Sequence, residues 1–298
     1  MKGWGFDHST SLPGEEQSAM RIGIVGLGLI GGSLGIDFSQ QGHQVVGIGR
    51  RSEVCQSALE RKVVHQAGCD YSLLSGVDAV FVCTPIAAIA PTVAAIAPYL
   101  KPQTVVTDVG SVKAAIVDAA THHWPRFVGG HPMAGKTEVG LEAAELGLYV
   151  DRAYVLTPLT QTPADAVETV AGLVKDLRAK LYQCSPEIHD RAVAWISHLP
   201  VMVSSSLIQS CLSEPDAEVA QLARALASSG FRDTSRVGGG PPELGLMMAR
   251  YNRNSILQSL HGYRNQLDQV IALIQAEDWE GVQQHLRQTQ AARSEFVS

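Results

Sequence analysis

The chain has 298 residues, 45% of them hydrophobic, which is enough to bury a core and to form about two domains. Its formal net charge of -6 at pH 7, without a basic stripe, argues against nucleic acid and membrane surfaces as partners. The 5 cysteines are odd in number and form no C-x-x-C pair, which argues against a disulfide framework or zinc knuckle and favours a cytoplasmic protein.

The order of apolar segments divides the chain into three predicted parts. Residues 1–19 lack the basic-then-apolar order of a signal peptide, and we expect a disordered extension or a tag there. Residues 20–184 alternate strand-like and helical segments, whereas residues 185–298 show a helical pattern only. No apolar run approaches the roughly 20 residues that a membrane-spanning helix needs.

The second part opens with a strand, a helix near residues 29–41 and a second strand, which together form a βαβ unit. A later helix is expected from about residue 163 to 180. Short apolar runs that read as strands lie at 21–26, 43–49, 78–83, 104–109, 127–130, 153–157 and 181–184. This alternation predicts a doubly wound, mostly parallel α/β sheet with helices on both faces.

The third part begins with a helix-start signal. Ser185 is a capping hydroxyl and Pro186 suits the first helical position. Pro200 should kink this helix, because proline lacks a backbone donor. A long helix is predicted from Glu243 to about Ala276.

That long helix carries an apolar stripe at three- and four-residue steps. The stripe consists of Leu260, Tyr263, Leu267, Val270 and Ile274. Such a stripe needs a partner surface, which is either another part of the same subunit or a second copy of the chain.

A glycine-rich turn follows the first strand and opens the first helix. It reads Gly26-Leu27-Gly28-Leu29-Ile30-Gly31, and the exposed N–H groups of the helix start suit a pyrophosphate. Gly26 allows a tight turn, Gly28 lets a phosphate approach and Gly31 permits close packing of helix on strand. The context predicts a Rossmann-type dinucleotide site, against the alternative of a purely structural turn.

The end of the second strand indicates which dinucleotide is bound. Enzymes that prefer NAD usually place an acid there, but this chain has Gly49, followed by Arg50 and Arg51. A guanidinium suits a 2'-phosphate, so NADP is the predicted cofactor. The alternative is that both arginines form a solvated helix start.

Candidate chemistry lies where strands end, because open α/β sheets bind ligands at their carboxyl edge. Thr84 and Pro85 follow one strand and are candidate cofactor contacts, Ser111 follows the next, and His131 follows the one after. A neutral imidazole near pH 7 is a suitable base, although His131 alone reads equally well as a loop histidine. Ser111 reads equally well as a helix N-cap, and His198 as a satisfied core histidine. No histidine or carboxylate spacing suggests a metal.

The motif series GLGLIGGS, VCTP, TDVGSVK, GGHPMAG, WISHLP and SGFRDTSR resembles that of the prephenate and arogenate dehydrogenases from residue 20 nearly to the end. The resemblance implies that His131 is the catalytic histidine with Ser111 hydrogen-bonding nearby. It also implies that His198 and Arg236 contact the substrate, and that helical domains interlock in a dimer. A substrate with two carboxylates would give Arg236 a group to clamp.

The resemblance leaves the substrate open between arogenate and prephenate. Prephenate-using members are expected to carry a second histidine after S-H-L-P, where this chain has Val201, so arogenate oxidation to tyrosine is favoured. The ammonium of arogenate would favour a nearby acid, for which Asp233, Asp190 and Asp151 are candidates. Remoter alternatives are a β-hydroxyacid dehydrogenase or imine reductase, and a nucleotide-sensing regulator on the same fold.

Overall fold

The computed structural model describes residues 19–136 and 138–297. The extension predicted for residues 1–19 therefore lies almost wholly outside the described residues. The strands are β1 Arg21–Val25, β2 Gln44–Ile48, β3 Gln66–Gly68, β4 Ala79–Val82, β5 Val105–Asp108, β6 Phe127–Pro132, β7 Ala153–Thr157 and β8 Lys180–Gln183. The helices among them are α1 Leu29–Gln40, α2 Ser52–Glu60, α3 Ile89–Ile96, α4 Ala114–His123 and α5 Ala164–Asp176.

The strands form one sheet in the order β3-β2-β1-β4-β5-β6-β7-β8. The strands from β3 to β6 pair in parallel, β7 runs antiparallel to β6, and β8 is parallel to β7. The predicted doubly wound, mostly parallel sheet is thus confirmed. The short strand β3 was not predicted, because its three residues show no apolar run.

Helices cover both faces of the sheet, because successive side chains on a strand point to opposite faces. Ile22 and Ile24 of β1 pack in a buried cluster with residues of α1, α2 and α5. Val25 belongs to a second buried cluster, formed with residues of α3 and α4. Strand order reverses between β1 and β4, so the carboxyl ends of these two strands border a crevice of the kind in which such sheets bind ligands.

After β8, the residues that the structure describes, up to 297, form helices joined by turns. These helices are α6 Pro186–Val193, α7 Leu199–Leu212, α8 Ala217–Leu226, α9 Ser229–Ser235, α10 Pro242–Tyr251, α11 Arg253–Gln275 and α12 Trp279–Ala292. The predicted start of α6 is confirmed, since the Ser185 side chain accepts a hydrogen bond from the Ile188 N–H at 3.3 Å. Residues 194–198 form a π-helical turn directly before α7, so the helix departs from α geometry just before Pro200, where a kink was predicted.

The single helix predicted from Glu243 to Ala276 is wrong. The chain breaks at Asn252, whose backbone dihedrals of φ -118° and ψ 34° lie outside the helical range. Asn252 is buried and its side chain bonds to two other elements, as described below, which a continuous pattern of apolar residues does not reveal. Much of the stripe on α11 stays exposed in the single chain, with Tyr263 at 41%, Leu267 at 47% and Ile274 at 50%.

One continuous helical stretch, Pro186–Leu212, is long and apolar enough to cross a membrane, whereas the sequence had suggested no such run. Length and composition are weak evidence, because a core helix of a globular protein can pass the same test. This stretch also carries the buried polar residues His189, Asp190 and His198.

Candidate active site

The glycine turn has the geometry that a dinucleotide loop requires. Gly26 has φ +108°, a conformation that favours glycine, and a Cβ on it would lie 2.5 Å from the Cys83 carbonyl oxygen. A Cβ on Gly31 would overlap the Gly26 carbonyl oxygen, so α1 can begin this close to β1 only with glycine there. No atom of the described residues lies within 4 Å of a Cβ placed on Gly28, which leaves space above the start of α1.

The other predicted cofactor residues border the same edge of the sheet. Leu29 and Ile30 lie in the first turn of α1, and Thr84 and Pro85 follow β4 after Cys83. The Thr84 hydroxyl is buried and has no hydrogen-bond partner among the described residues. Arg50 and Arg51 lie exposed between β2 and α2. The crevice therefore combines free helix N–H groups, an unpaired hydroxyl and two cations.

His131 lies near the end of β6 and is 7% exposed. Its Nδ1 lies 2.8 Å from Nε2 of His189 on α6. The Nδ1 of His189 in turn lies 2.8 Å from Oδ1 of Asp190. A buried chain of three side chains thus joins the sheet to the first helix of the helical part.

Asp190 also holds the start of α4. Its Oδ1 accepts a hydrogen bond from the Lys113 N–H at 2.7 Å, and its Oδ2 accepts one from the Ala114 N–H at 2.9 Å. These N–H groups have no partner within their own helix, and the positive end of the helix dipole favours the carboxylate. Of the two readings left open for Ser111, the helix N-cap is therefore not found: Lys113 is the N-cap residue, and the carboxylate of Asp190, from a distant element, does the capping.

Lys113 is fully buried and forms an ion pair with Asp108 at the end of β5. Its Nζ also donates a hydrogen bond to the Gly130 carbonyl oxygen at 2.8 Å, one residue before His131. Asp108 accepts further bonds from the N–H groups of Gly110 at 2.8 Å and Gly130 at 3.1 Å. Burial lowers the pKa of Lys113, and the neighbouring Asp108 carboxylate opposes that shift. The pair ties the loop after β5 to the strand that carries His131.

His198 is completely buried at the end of the π turn. Its Nδ1 lies 3.1 Å from the Asn252 amide nitrogen, which also donates to the Asp190 carbonyl oxygen at 2.7 Å. An amide NH₂ only donates, so Nδ1 is the acceptor and Nε2 carries the proton. The Nε2 is buried and has no partner among the described residues. It is therefore a donor available to a ligand.

Both site histidines are held neutral. Burial, followed by the neighbouring His189, Lys113 and His198, lowers the pKa of His131 well below its usual value of 6.5. Burial likewise lowers the pKa of His198 to about 4, although the Asp190 carboxylate opposes this shift. At pH 7 His131 therefore has a lone pair with which to accept a proton.

The structure brings together some of the predicted site residues and leaves others apart. His131 and His198 join one buried network through His189, Asp190 and Asn252. Ser111 is half-buried in the loop between β5 and α4, and its hydroxyl bonds to no other described residue. Arg236 is exposed on a short turn that packs on α7 and is not part of the network.

Sequence reasoning missed His189, Lys113 and Asn252 as members of the site. A lysine within the apolar run VKAAIV is the one signal that pointed to a buried ion pair, since lysine is seldom buried without a partner. Asp190 was considered for a substrate amine, but its carboxylate is fully engaged. Among the described residues, no group of three metal-ligating side chains is placed to hold an ion.

Two family models match consecutive parts of the chain. The nucleotide-binding domain of prephenate dehydrogenase matches residues 34–183, and the dimerization domain of prephenate dehydrogenase matches residues 185–288. A curated prephenate dehydrogenase of Bacillus subtilis is 32% identical over 268 residues, covering 87% of this chain and 71% of that protein.

Solved structures are similar over nearly the whole chain. The crystal structure of Synechocystis arogenate dehydrogenase matches with a TM-score of 0.88 and 49% identity, covering 93% of this chain and 100% of that one. Prephenate dehydrogenase from A. aeolicus, solved in complex with hydroxyphenyl propionate and NAD+, matches with a TM-score of 0.88 and 25% identity, covering 94% of this chain and 99% of that one.

Proposed function

Because this chain belongs to the prephenate dehydrogenase family, we propose that it is an NADP-dependent arogenate dehydrogenase. It oxidises the ring of arogenate, releases the ring carboxylate as CO₂ and gives tyrosine. The observation that carries this proposal is the neutral, buried His131, engaged at Nδ1 and placed at the ligand-binding edge of the sheet.

His131 is the proposed general base. The substrate bears a hydroxyl on the ring carbon opposite the one that carries the carboxylate, and oxidation to a carbonyl requires a proton acceptor. His131 takes this proton at Nε2, so the O–H bond breaks as an N–H bond forms. Loss of CO₂ leaves its electron pair in the ring, which becomes a phenolate. The proton then returns from His131 to the same oxygen.

The crevice fits a dinucleotide. The open space above Gly28, the free N–H groups at the start of α1 and the unpaired Thr84 hydroxyl are suited to hold one. A bound oxidised nicotinamide would supply the acceptor for the hydride that leaves the ring carbon. The choice of NADP rests on Arg50 and Arg51, which are exposed after β2, the strand whose end usually faces the ribose 2' position in such sites.

His198 and Arg236 are the proposed substrate contacts. The buried Nε2–H of His198 offers a hydrogen bond to a substrate oxygen. Arg236 is exposed in the single chain, which suits the clamping of a carboxylate that enters from solvent. Ser111, on the loop that Lys113 anchors, is proposed as a further hydrogen-bonding partner of the reacting hydroxyl.

Arogenate is preferred to prephenate because Val201 occupies the place of the second histidine expected in prephenate-using members. The 49% identity to an arogenate dehydrogenase supports the same choice. Since Asp190 is engaged, Asp233 is the better candidate to face the substrate ammonium. It is exposed beside Arg232 at 3.6 Å and lies three residues before Arg236.

We further propose a cytoplasmic homodimer. The second family model is a dimerization domain, and α8 and α11 expose apolar side chains that a partner would cover. These include Leu222 at 56%, Leu226 at 69% and Leu267 at 47% exposure. Light scattering at micromolar concentration should report a dimer, and a monomer would refute this part. The 5 free cysteines fit a reducing compartment.

Initial rates with arogenate or prephenate, each with NADP or NAD, test the main proposal. Turnover with arogenate and NADP is expected. Turnover with prephenate alone would refute the argument from Val201, and no turnover in any of the four combinations would refute the enzyme assignment. Replacing Arg50 and Arg51 together by alanine should weaken NADP far more than NAD, whereas equal losses would refute their proposed role.

A further inference from the structure

The direction of each hydrogen bond in the buried series His131–His189–Asp190 follows from Asp190, which ends the series. An ionised Asp190 carboxylate only accepts, so Nδ1 of His189 must donate to Oδ1. In a neutral ring the Nε2 of His189 then has a lone pair, and it accepts from Nδ1 of His131. The remaining nitrogen of His131, Nε2, is left unprotonated. The network therefore selects one of the two tautomers of His131.

Asp190, the last member of the series His131–His189–Asp190, is held in place by two other elements. Both carboxylate oxygens of Asp190 accept backbone N–H groups at the start of α4, where the helix dipole favours negative charge. Its backbone carbonyl accepts from Asn252. Asp190 is 4% exposed and His189 is 2% exposed, so water does not compete for these bonds.

The orientation of the His131 ring depends on His189 and Asp190. Among the described residues, His189 is the partner that bonds to its ring. Removing the acceptor would leave the Nδ1–H of His131 buried without a partner and would allow the ring to take the other tautomer, whose Nε2 cannot accept a proton.

We propose that His189 and Asp190 are positioning residues for the proton transfer, which hold His131 as the tautomer whose Nε2 faces the reacting hydroxyl. The inference rests on the proposed function for the identity of that hydroxyl. When His131 binds the proton, its ring becomes cationic, and the Asp190 carboxylate stabilises that charge through His189. The arrangement follows the logic by which a third group orients a catalytic base.

Two substitutions at His189 separate orientation from simple packing. His189→Phe keeps a ring but removes the acceptor, and we expect kcat to fall by about 100-fold or more, in the range of general-base effects. KM and cofactor affinity should stay within about threefold, since binding contacts remain. His189→Gln places an amide oxygen, which can accept a hydrogen bond, near the former Nε2. Its kcat should be at least about tenfold higher than that of His189→Phe.

His43→Gln is the matched control. His43 is also buried, at 4% exposure, but it lies after α1, where its Nδ1 accepts from the Met20 N–H at 3.1 Å. The kcat of the His43→Gln variant should match that of the parent protein. A folded His189→Phe variant with kcat within about threefold of the parent protein would overturn the proposal. So would equal kcat losses in His189→Phe and His189→Gln.

A second measurement does not depend on turnover. Nitrogen NMR of the histidine-labelled protein without substrate should show His131 protonated at Nδ1, and Asp190→Asn should raise the population of the other tautomer. An Nε2-protonated ring in the parent protein would overturn the proposal. If neither cyclohexadienyl acid is turned over while the Nδ1–H tautomer is seen, the proposed function fails and the positioning role stands.

Discussion

Replacing Lys113 by methionine tests how strongly the buried ion pair stabilises the protein. Methionine has a similar length and no charge, so Lys113→Met keeps most of the packing and removes the cation beside Asp108. The lysine side chain and its partner carboxylate are both 0% exposed. The substitution also leaves the Gly130 carbonyl oxygen without the bond that Nζ makes at 2.8 Å.

The size of the loss follows from what Asp108 retains. Removing one partner of a buried ion pair costs about 3–5 kcal/mol, because the remaining charge is uncompensated. Asp108 keeps the N–H groups of Gly110 and Gly130, so we expect the lower end, about 3 kcal/mol. The double variant Asp108→Asn with Lys113→Met should recover part of this loss, since it leaves no buried charge.

Urea unfolding followed by circular dichroism measures these free energies. Lys136→Met is the matched control, because Lys136 pairs with Glu145 at 2.7 Å on the surface, where the partner is 50% exposed. Such a surface pair contributes about 0–1 kcal/mol. If Lys113→Met lost no more stability than Lys136→Met, the reasoning about the buried pair would be refuted.

Two further predictions concern pH and the glycine turn. The folded-state pKa of His198 is about 4 against 6.5 in an unfolded chain, so the unfolded state binds more protons between these values. The contribution of the neutral His198 to the free energy of unfolding should thus be fully present above pH 6.5 and be lost as the pH falls towards 4. His131, whose pKa is also lowered, should add to this loss. Melting curves recorded across this pH range should show a melting temperature that depends less on pH in His198→Asn than in the parent protein. Gly28→Ala should leave the melting temperature unchanged, because its Cβ meets no atom of the described residues within 4 Å, yet weaken nucleotide binding in a fluorescence titration. Gly31→Ala should lower both the melting temperature and the nucleotide affinity. A Gly28→Ala variant that binds the nucleotide as tightly as the parent protein would contradict the placement of the pyrophosphate.

The sequence by itself determined the features that local patterns control. Apolar runs separated by helical segments predicted the sheet and its position in the chain. The spacing of Gly26, Gly28 and Gly31 predicted the turn, because a tight turn and close packing of helix on strand are local requirements. Ser185 and Pro186 predicted the start of α6, since capping involves neighbours along the chain.

Only the tertiary structure decided which side chains of the site form hydrogen bonds with one another. Asp190 caps a helix that begins 76 residues earlier in the chain, and His189 meets His131 across 58 residues. Asn252 ends a helix because its side chain bonds to His198, 54 residues before it. Hydrogen bonds between buried polar groups depend on which elements the fold brings together, and no periodicity along the chain records that proximity.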